Sequence, residues 1–186
     1  MIDSKEILAV GSIAFDSIKT FYGERKKILG GSSTYFGIAA SRYAKTSLIG
    51  IVGEDFTDEY WNIFKEHKIK TDSVIQEKGN TFSWGGEYNK DFSKRNTIFT
   101  KLGVFKNFKP QVSEDYDKPI LYLGNIQPQL QLDVIKKIKS PHLVAADSMN
   151  LWIDLYPKLV WELLSRVDIF MLNDEEAKQL TGKSDL

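Results

Sequence analysis

Five short apolar runs constrain the fold of this 186-residue chain more than anything else in it. Residues 7–10, 48–52, 120–123, 143–146 and 169–172 are too short for lone helices and rich in Ile, Leu and Val. Each therefore reads as a strand buried on both faces. Amphipathic stretches lie between them. Phe36, Ala39, Ala40 and Tyr43 fall at i, i+3, i+4 and i+7, one face of a helix. Trp61 and Phe64 mark a second helix, Leu130, Val134 and Ile138 a third, and Leu159, Val160, Leu163 and Leu164 a fourth. Alternation of this kind predicts an α/β fold, a parallel sheet flanked by helices, because parallel neighbours need a crossover between them.

Two segments break the rhythm. Residues 17–29 alternate loosely around Gly23, and residues 81–100 are rich in aromatics and Thr around Gly85-Gly86. Both read as antiparallel ribbon, and if they pair they form a small second sheet. Residues 102–119 read as irregular. Asn173 to Leu180 read as a final helix, with Asp174, Glu175 and Glu176 in its first turn, where acids suit the helix dipole. The run at 169–172 is expected to leave an exposed apolar edge, which invites pairing. The chain stops where such a fold would add its next strand, so an incomplete copy of a larger protein is one expectation and a naturally short protein the other.

Charge and composition narrow the function. Lys plus Arg and Asp plus Glu are each 25, so the net charge is zero. That balance favours neither nucleic acid nor an acidic membrane as partner. There is no cysteine, which removes disulfides, thiolate nucleophiles and cysteine-bound metals. The start lacks a basic-then-apolar leader pattern and no apolar run reaches membrane-spanning length, so a cytoplasmic location is expected. The G-x-G-x-x-G and G-x-x-x-x-G-K-[ST] phosphate loops are both absent, and His67 and His142 have no ligand-like companion.

What remains is a series of polar residues at the expected C-terminal ends of strands, where ligands bind in such sheets. They are Asp16, the stretch Gly30, Gly31, Ser32, Ser33 and Thr34, then Gly53-Glu54-Asp55, Gly124-Asn125, Asp147 with Asn150, and Asn173. Any one of them is adequately explained as a cap or turn. As a set beside exposed backbone they suit a polyol, whose hydroxyls need carboxylate and amide partners.

Gly30-Gly31-Ser32-Ser33-Thr34-Tyr35, followed by Ala39-Ala40 and Gly53-Glu54-Asp55, resembles the first signature of the ribokinase (PfkB) family of carbohydrate kinases. Asn173 to Glu176, continuing to Thr181-Gly182, resembles that family's N-x-x-E segment, and Asp147 to Trp152 resembles a D-x-x-N-x-W stretch of one branch. The resemblance implies that residues 1–186 form an incomplete ribokinase-like α/β domain with a small inserted β lid, built from about 17–29 and 81–100. It implies transfer of the terminal phosphoryl group of ATP to a hydroxymethyl of a sugar or nucleoside, with Mg2+. Asp16, Gly30, Gly31, Ser32, Tyr35, Asn125, Asp147 and Asn150 would then face the substrate. Phe82 and Trp84 would cover it, with ordinary packing of the lid as the competing reading. Asn173 and Glu176 would organise the phosphates, Glu176 touching magnesium indirectly. A lid-to-lid homodimer is also implied.

Two departures qualify the resemblance. Tyr35 stands where the family carries an Asn that contacts a sugar hydroxyl. The family's Asp-Thr-x-Gly-Ala-Gly-Asp segment, with its catalytic base and anion hole, is missing from these 186 residues. The expectation is that no catalytic base lies in this chain and that the chain alone is inactive. The alternative is a non-catalytic sugar- or nucleoside-binding protein on the same fold.

Overall fold

A computed structural model of the chain describes residues 6–113, 116 and 119–185. In chain order its strands are β1 (Ile7–Val10), β2 (Ala14–Thr20), β3 (Gly23–Gly30), β4 (Thr46–Gly53), β5 (Lys70–Glu77), β6 (Phe82–Tyr88), β7 (Arg95–Lys101), β8 (Ile120–Leu123), β9 (Leu143–Asp147) and β10 (Ile169–Met171). The helices are α1 (Ser32–Ala40), α2 (Asp58–Glu66), α3 (Pro128–Lys137), α4 (Asn150–Leu155), α5 (Pro157–Leu164) and α6 (Asp174–Thr181).

Six strands form one sheet in the order β10-β9-β8-β1-β4-β5, with every pairing parallel. β1 sits inside it because its residues are apolar to both sides. Leu8 and Val10 pack into one cluster with Ile49, Ile51, Leu121 and Leu123, and Ala9 packs into the opposite one with Leu48, Val52, Phe56 and Phe64. All five runs expected as strands are strands. The sixth, β5, escaped the sequence reading: as an edge strand with only partial burial it carries Lys, Thr, Asp, Ser, Gln and Glu. The opposite edge, β10, leaves Ile169 and Met171 47% and 42% exposed.

The first helix keeps half of the face read from its apolar residues, with Phe36 packed on the core and Ala40 buried, and corrects the rest, since Ala39 and Tyr43 are exposed. Ser33, Thr34, Gly37 and Ala40 point inward, while Tyr35 is exposed and Tyr43, beyond the helix, is 91% exposed. The reason is closeness. A Cβ at Gly37 would lie 2.7 Å from Leu48 Cδ2, so only small side chains fit between α1 and β4.

The two ribbons do pair. β2–β3 and β6–β7 are antiparallel hairpins, joined by a parallel β2–β6 ladder into a four-stranded lid, β3-β2-β6-β7. The lid begins earlier than residue 17, since β2 starts at Ala14 and so contains Asp16. Past β7 the chain is less irregular than expected. Gly103–Asn107 make a 3-10 turn that sends Val104 and, just beyond, Phe108 into the core. Of the remainder of 102–119, positions 114, 115, 117 and 118 lie outside the described residues. Among the described residues no helix is long and apolar enough to cross a membrane.

Candidate functional site

The lid overhangs the C-terminal edge of the main sheet, and the loop carrying Gly30 and Gly31 joins the two. Its geometry rests on a serine pair that the sequence did not advertise. Ser32 N donates to Ser12 Oγ at 3.1 Å, Ser12 N donates to Ser32 Oγ at 3.3 Å, and the two hydroxyls lie 3.2 Å apart. Ser33 N and Ser33 Oγ both donate to the Ser12 carbonyl, at 3.1 and 3.3 Å. The hydroxyl cluster therefore clamps the start of α1 to the exit of β1. Only the twenty-residue separation of the partners hid this in the sequence.

Asp16 lies on β2 in register with Trp84 of β6, so both side chains project from one face of the lid. This corrects its expected position at the end of a main-sheet strand. Gly30 is opposite Ala14 on β3, and a Cβ there would collide with the Asp16 carboxylate, so the glycine keeps the space that the carboxylate fills. Among the described residues the Asp16 carboxylate has neither a hydrogen bond nor an ion pair, and burial pushes it up to about 6. The Tyr35 hydroxyl is raised too, first by burial, then by the neighbouring Asp16 and Tyr88. Asp16, Gly30, Tyr35 and Tyr88 thus lie close together.

The expected covers behave differently. Phe82 stacks on Phe105 at 5.3 Å, at the lid's base. Trp84 folds back over Gly86, donates from Nε1 to Thr97 Oγ1 at 3.3 Å and has the Arg95 guanidinium 5.2 Å from its ring. Both rings have packing partners within the chain.

Along the main sheet, Asp147 ends β9 beside Tyr122 of β8. Tyr122 Oη donates to Asp147 Oδ2 at 2.7 Å, and the Tyr122 ring stacks on Phe36 of α1 at 3.6 Å. Burial lifts the Asp147 carboxyl to about 6, against the Tyr122 hydrogen bond and with help from the charge of Glu176. Its Oδ1 is buried without a partner among the described residues. Asn125 is held at both ends of its amide: Nδ2 donates to Met149 Sδ at 3.1 Å, and Oδ1 accepts from Trp152 Nε1 at 2.8 Å. Asn150 turns towards α6, where Nδ2 donates to Gln179 Oε1 at 2.7 Å. The structure thus brings Asp16, Gly30 and Tyr35 close together and sets Asn125 and Asp147 at the ends of β8 and β9. Asn150 is engaged elsewhere.

Asn173 and Glu176 form a capping box. Glu176 N donates to Asn173 Oδ1 at 2.9 Å, and Asn173 N donates to Glu176 Oε2 at 3.0 Å. Asn173→Ala should cost about 1 kcal/mol of stability, read as a lowered thermal midpoint; an unchanged midpoint would show the box to be idle. Among the described residues no three His, Cys, Asp or Glu side chains converge to hold a metal ion. With Glu176 committed to its cap, these residues do not by themselves fit a magnesium shell.

No family model matches the chain. A curated cytidine kinase of Thermococcus kodakarensis is 26% identical, over 97% of this chain and 66% of its own length. A nucleoside kinase of Methanocaldococcus jannaschii, an archaeal member of the ribokinase family, superposes with a TM-score of 0.78 at 20% identity, over 96% of this chain and 64% of that one. A Cryptococcus neoformans ribokinase solved with ADP gives 0.81 at 17% identity, over 97% and 61%. The fold of this chain is ribokinase-like. The chain spans about two thirds of the length of these ribokinase-like relatives. Their likeness covers both the parallel sheet and the lid, since almost all of this chain is aligned.

Proposed function

We propose that this chain forms the substrate-side portion of an ATP-dependent kinase that phosphorylates a hydroxymethyl of a sugar or nucleoside. The observation that carries the reading is Asp16. A carboxylate half-removed from water, with no donor of its own, is a strong acceptor for paired hydroxyls. It lies on the lid in register with Trp84, where a lid closing over a ligand would exclude water. The cytidine kinase and ribokinase relatives act on compounds that carry such hydroxyls, and this supports the assignment.

Phosphoryl transfer needs more than these residues supply. Charge on the transferring group must be met by preorganised donors, and the sequence contains no Gly-Ala-Gly-Asp segment to provide them. Asp16 and Asp147 have no phosphate-holding glycine loop beside them. ATP and magnesium therefore belong to the whole kinase in this reading, and no step is assigned through them here.

The test has two arms, both on residues 1–186. Calorimetric titration with a panel of pentoses, hexoses and nucleosides, without ATP, is expected to give saturable heat with at least one. Incubation with magnesium, ATP and the same panel is expected to give no phosphorylated product. No heat from any compound overturns the substrate-side reading. Robust product formation overturns the need for the missing segment.

A further inference from the structure

We infer that the substrate is a nucleoside, and that its base lies in a cavity beyond Asn125 walled by Phe105, Trp152 and Tyr156. This rests on the substrate-side reading above and narrows it. The cavity, about 650 Å3, opens between the 3-10 turn after the lid and the starts of α3 and α4. That volume falls within the range of small-molecule sites and is larger than a lone sugar ring requires.

Its walls are tied to both the lid and the sheet. From the lid, Phe82 stacks on Phe105, a wall residue. From the sheet, Trp152 Nε1 donates to Asn125 Oδ1, so the wall begins where the β8 end stops. A ligand whose hydroxyls meet Asp16 would reach the cavity by extending past Phe82 and Asn125.

Its chemistry suits a flat heteroaromatic ring. The Trp152 and Tyr156 rings lie 25° from parallel with centroids 6.1 Å apart, forming a platform for stacking. Asn107 and Gln127 bring side-chain amides that make no hydrogen bond among the described residues. A side-chain amide both donates and accepts, matching the alternating edge of a nucleobase. A hexose or pentose has no planar edge of alternating donors and acceptors to meet these amides.

The experiment titrates the 186-residue chain with cytidine, inosine and ribose, alongside Leu102→Trp, Trp152→Ala and Trp152→Phe. Leu102 is on the exposed rim, so a Trp there blocks the cavity without disturbing the core. At least one nucleoside is expected to bind about tenfold or more tighter than ribose, the usual scale of base stacking. Leu102→Trp should bring that nucleoside down to the ribose level with ribose affinity unchanged, Trp152→Ala should weaken the nucleoside, and Trp152→Phe, which keeps a ring, should retain most of the preference. Equal affinity for ribose and both nucleosides overturns the inference and leaves the substrate-side reading standing. So does a preference that survives Leu102→Trp. Failure of all three compounds to bind overturns this inference, and extending that failure to the full sugar and nucleoside panel overturns the broader reading.

Discussion

Gly31→Ala is expected to destabilise the chain by about 3 kcal/mol, a fall in thermal midpoint of roughly 6–12 °C for a protein of this size. Gly31 has φ +96°, in the region that L side chains avoid. The obstacle is also steric. A Cβ there would collide with the Ser12 carbonyl oxygen and lie 2.8 and 2.9 Å from Ser12 C and Ala14 N. All three are backbone atoms, so no rotamer change relieves the contact. The Ser12 carbonyl is itself fixed by Ser33 N and Ser33 Oγ, so either the β1–β2 link or the start of α1 must shift. Gly182 is the control. It too has positive φ, at +70°, but open space where a Cβ would go, so Gly182→Ala should cost only about 1 kcal/mol. Equal losses at the two positions would mean that conformation alone, and no close approach at Ser12, explains Gly31.

Asp16→Asn is expected to weaken substrate binding about a hundredfold or more, because two charge-assisted hydrogen bonds are reduced to neutral ones. The same change should stabilise the empty protein above pH 6. The carboxyl of Asp16 stands at about 6 in the folded chain against 3.8 for the free group, with burial as the cause. The folded state therefore holds its proton more tightly than the unfolded state does. Stability falls as pH rises from about 4 to about 6, and the full penalty remains at higher pH. Asn carries no such penalty. With solvent screening allowed for, the gain is on the order of 1 kcal/mol at pH 7.5, and it should vanish near pH 4. Asp147 is raised to about 6 as well, so the variant should flatten only part of the acid-side slope. Thermal midpoints from pH 4 to 8 measure the stability effect, and titration with the best-binding nucleoside or sugar measures the other. Undiminished binding would remove Asp16 from the site, and a lower midpoint at pH 7.5 would refute the desolvation argument. A residue that binds at the expense of stability is the pattern expected of a functional group.

The sequence revealed the sheet wherever burial on both faces had stripped its strands of polar residues, as in β1, β4 and β8. It failed at β5, whose partial burial at the sheet edge left no apolar signature. It also misled at α1, where the closest packing selects the smallest residues. Phe36 and Ala40 pack inward as their spacing suggests, but Ala39 and Tyr43 are exposed and Gly37 takes a place against the sheet. Candidate site residues were legible as types placed after strands. Their assembly was not, because it depends on pairs far apart in the chain: Ser12 with Ser32, Tyr122 with Asp147, Asn125 with Trp152. The N-x-x-E pattern was legible as both cap and ligand-facing pair, and the capping box accounts for its hydrogen bonds without a ligand.

Both lid hairpins are inserted between successive elements of the alternating α/β framework. One lies between β1 and α1, the other between β5 and the turn leading to β8. Their strands bond to each other and contribute none to the six-stranded sheet. Removing them on paper leaves the order of that sheet unchanged. The lid, which carries Asp16 and Trp84, is thus topologically separable from the sheet that holds the core. Tips such as Phe21, Tyr22 and Phe92, already exposed, can vary in length and sequence with little consequence for the core. A scaffold so divided can have its two hairpins exchanged with its buried strands left as they are.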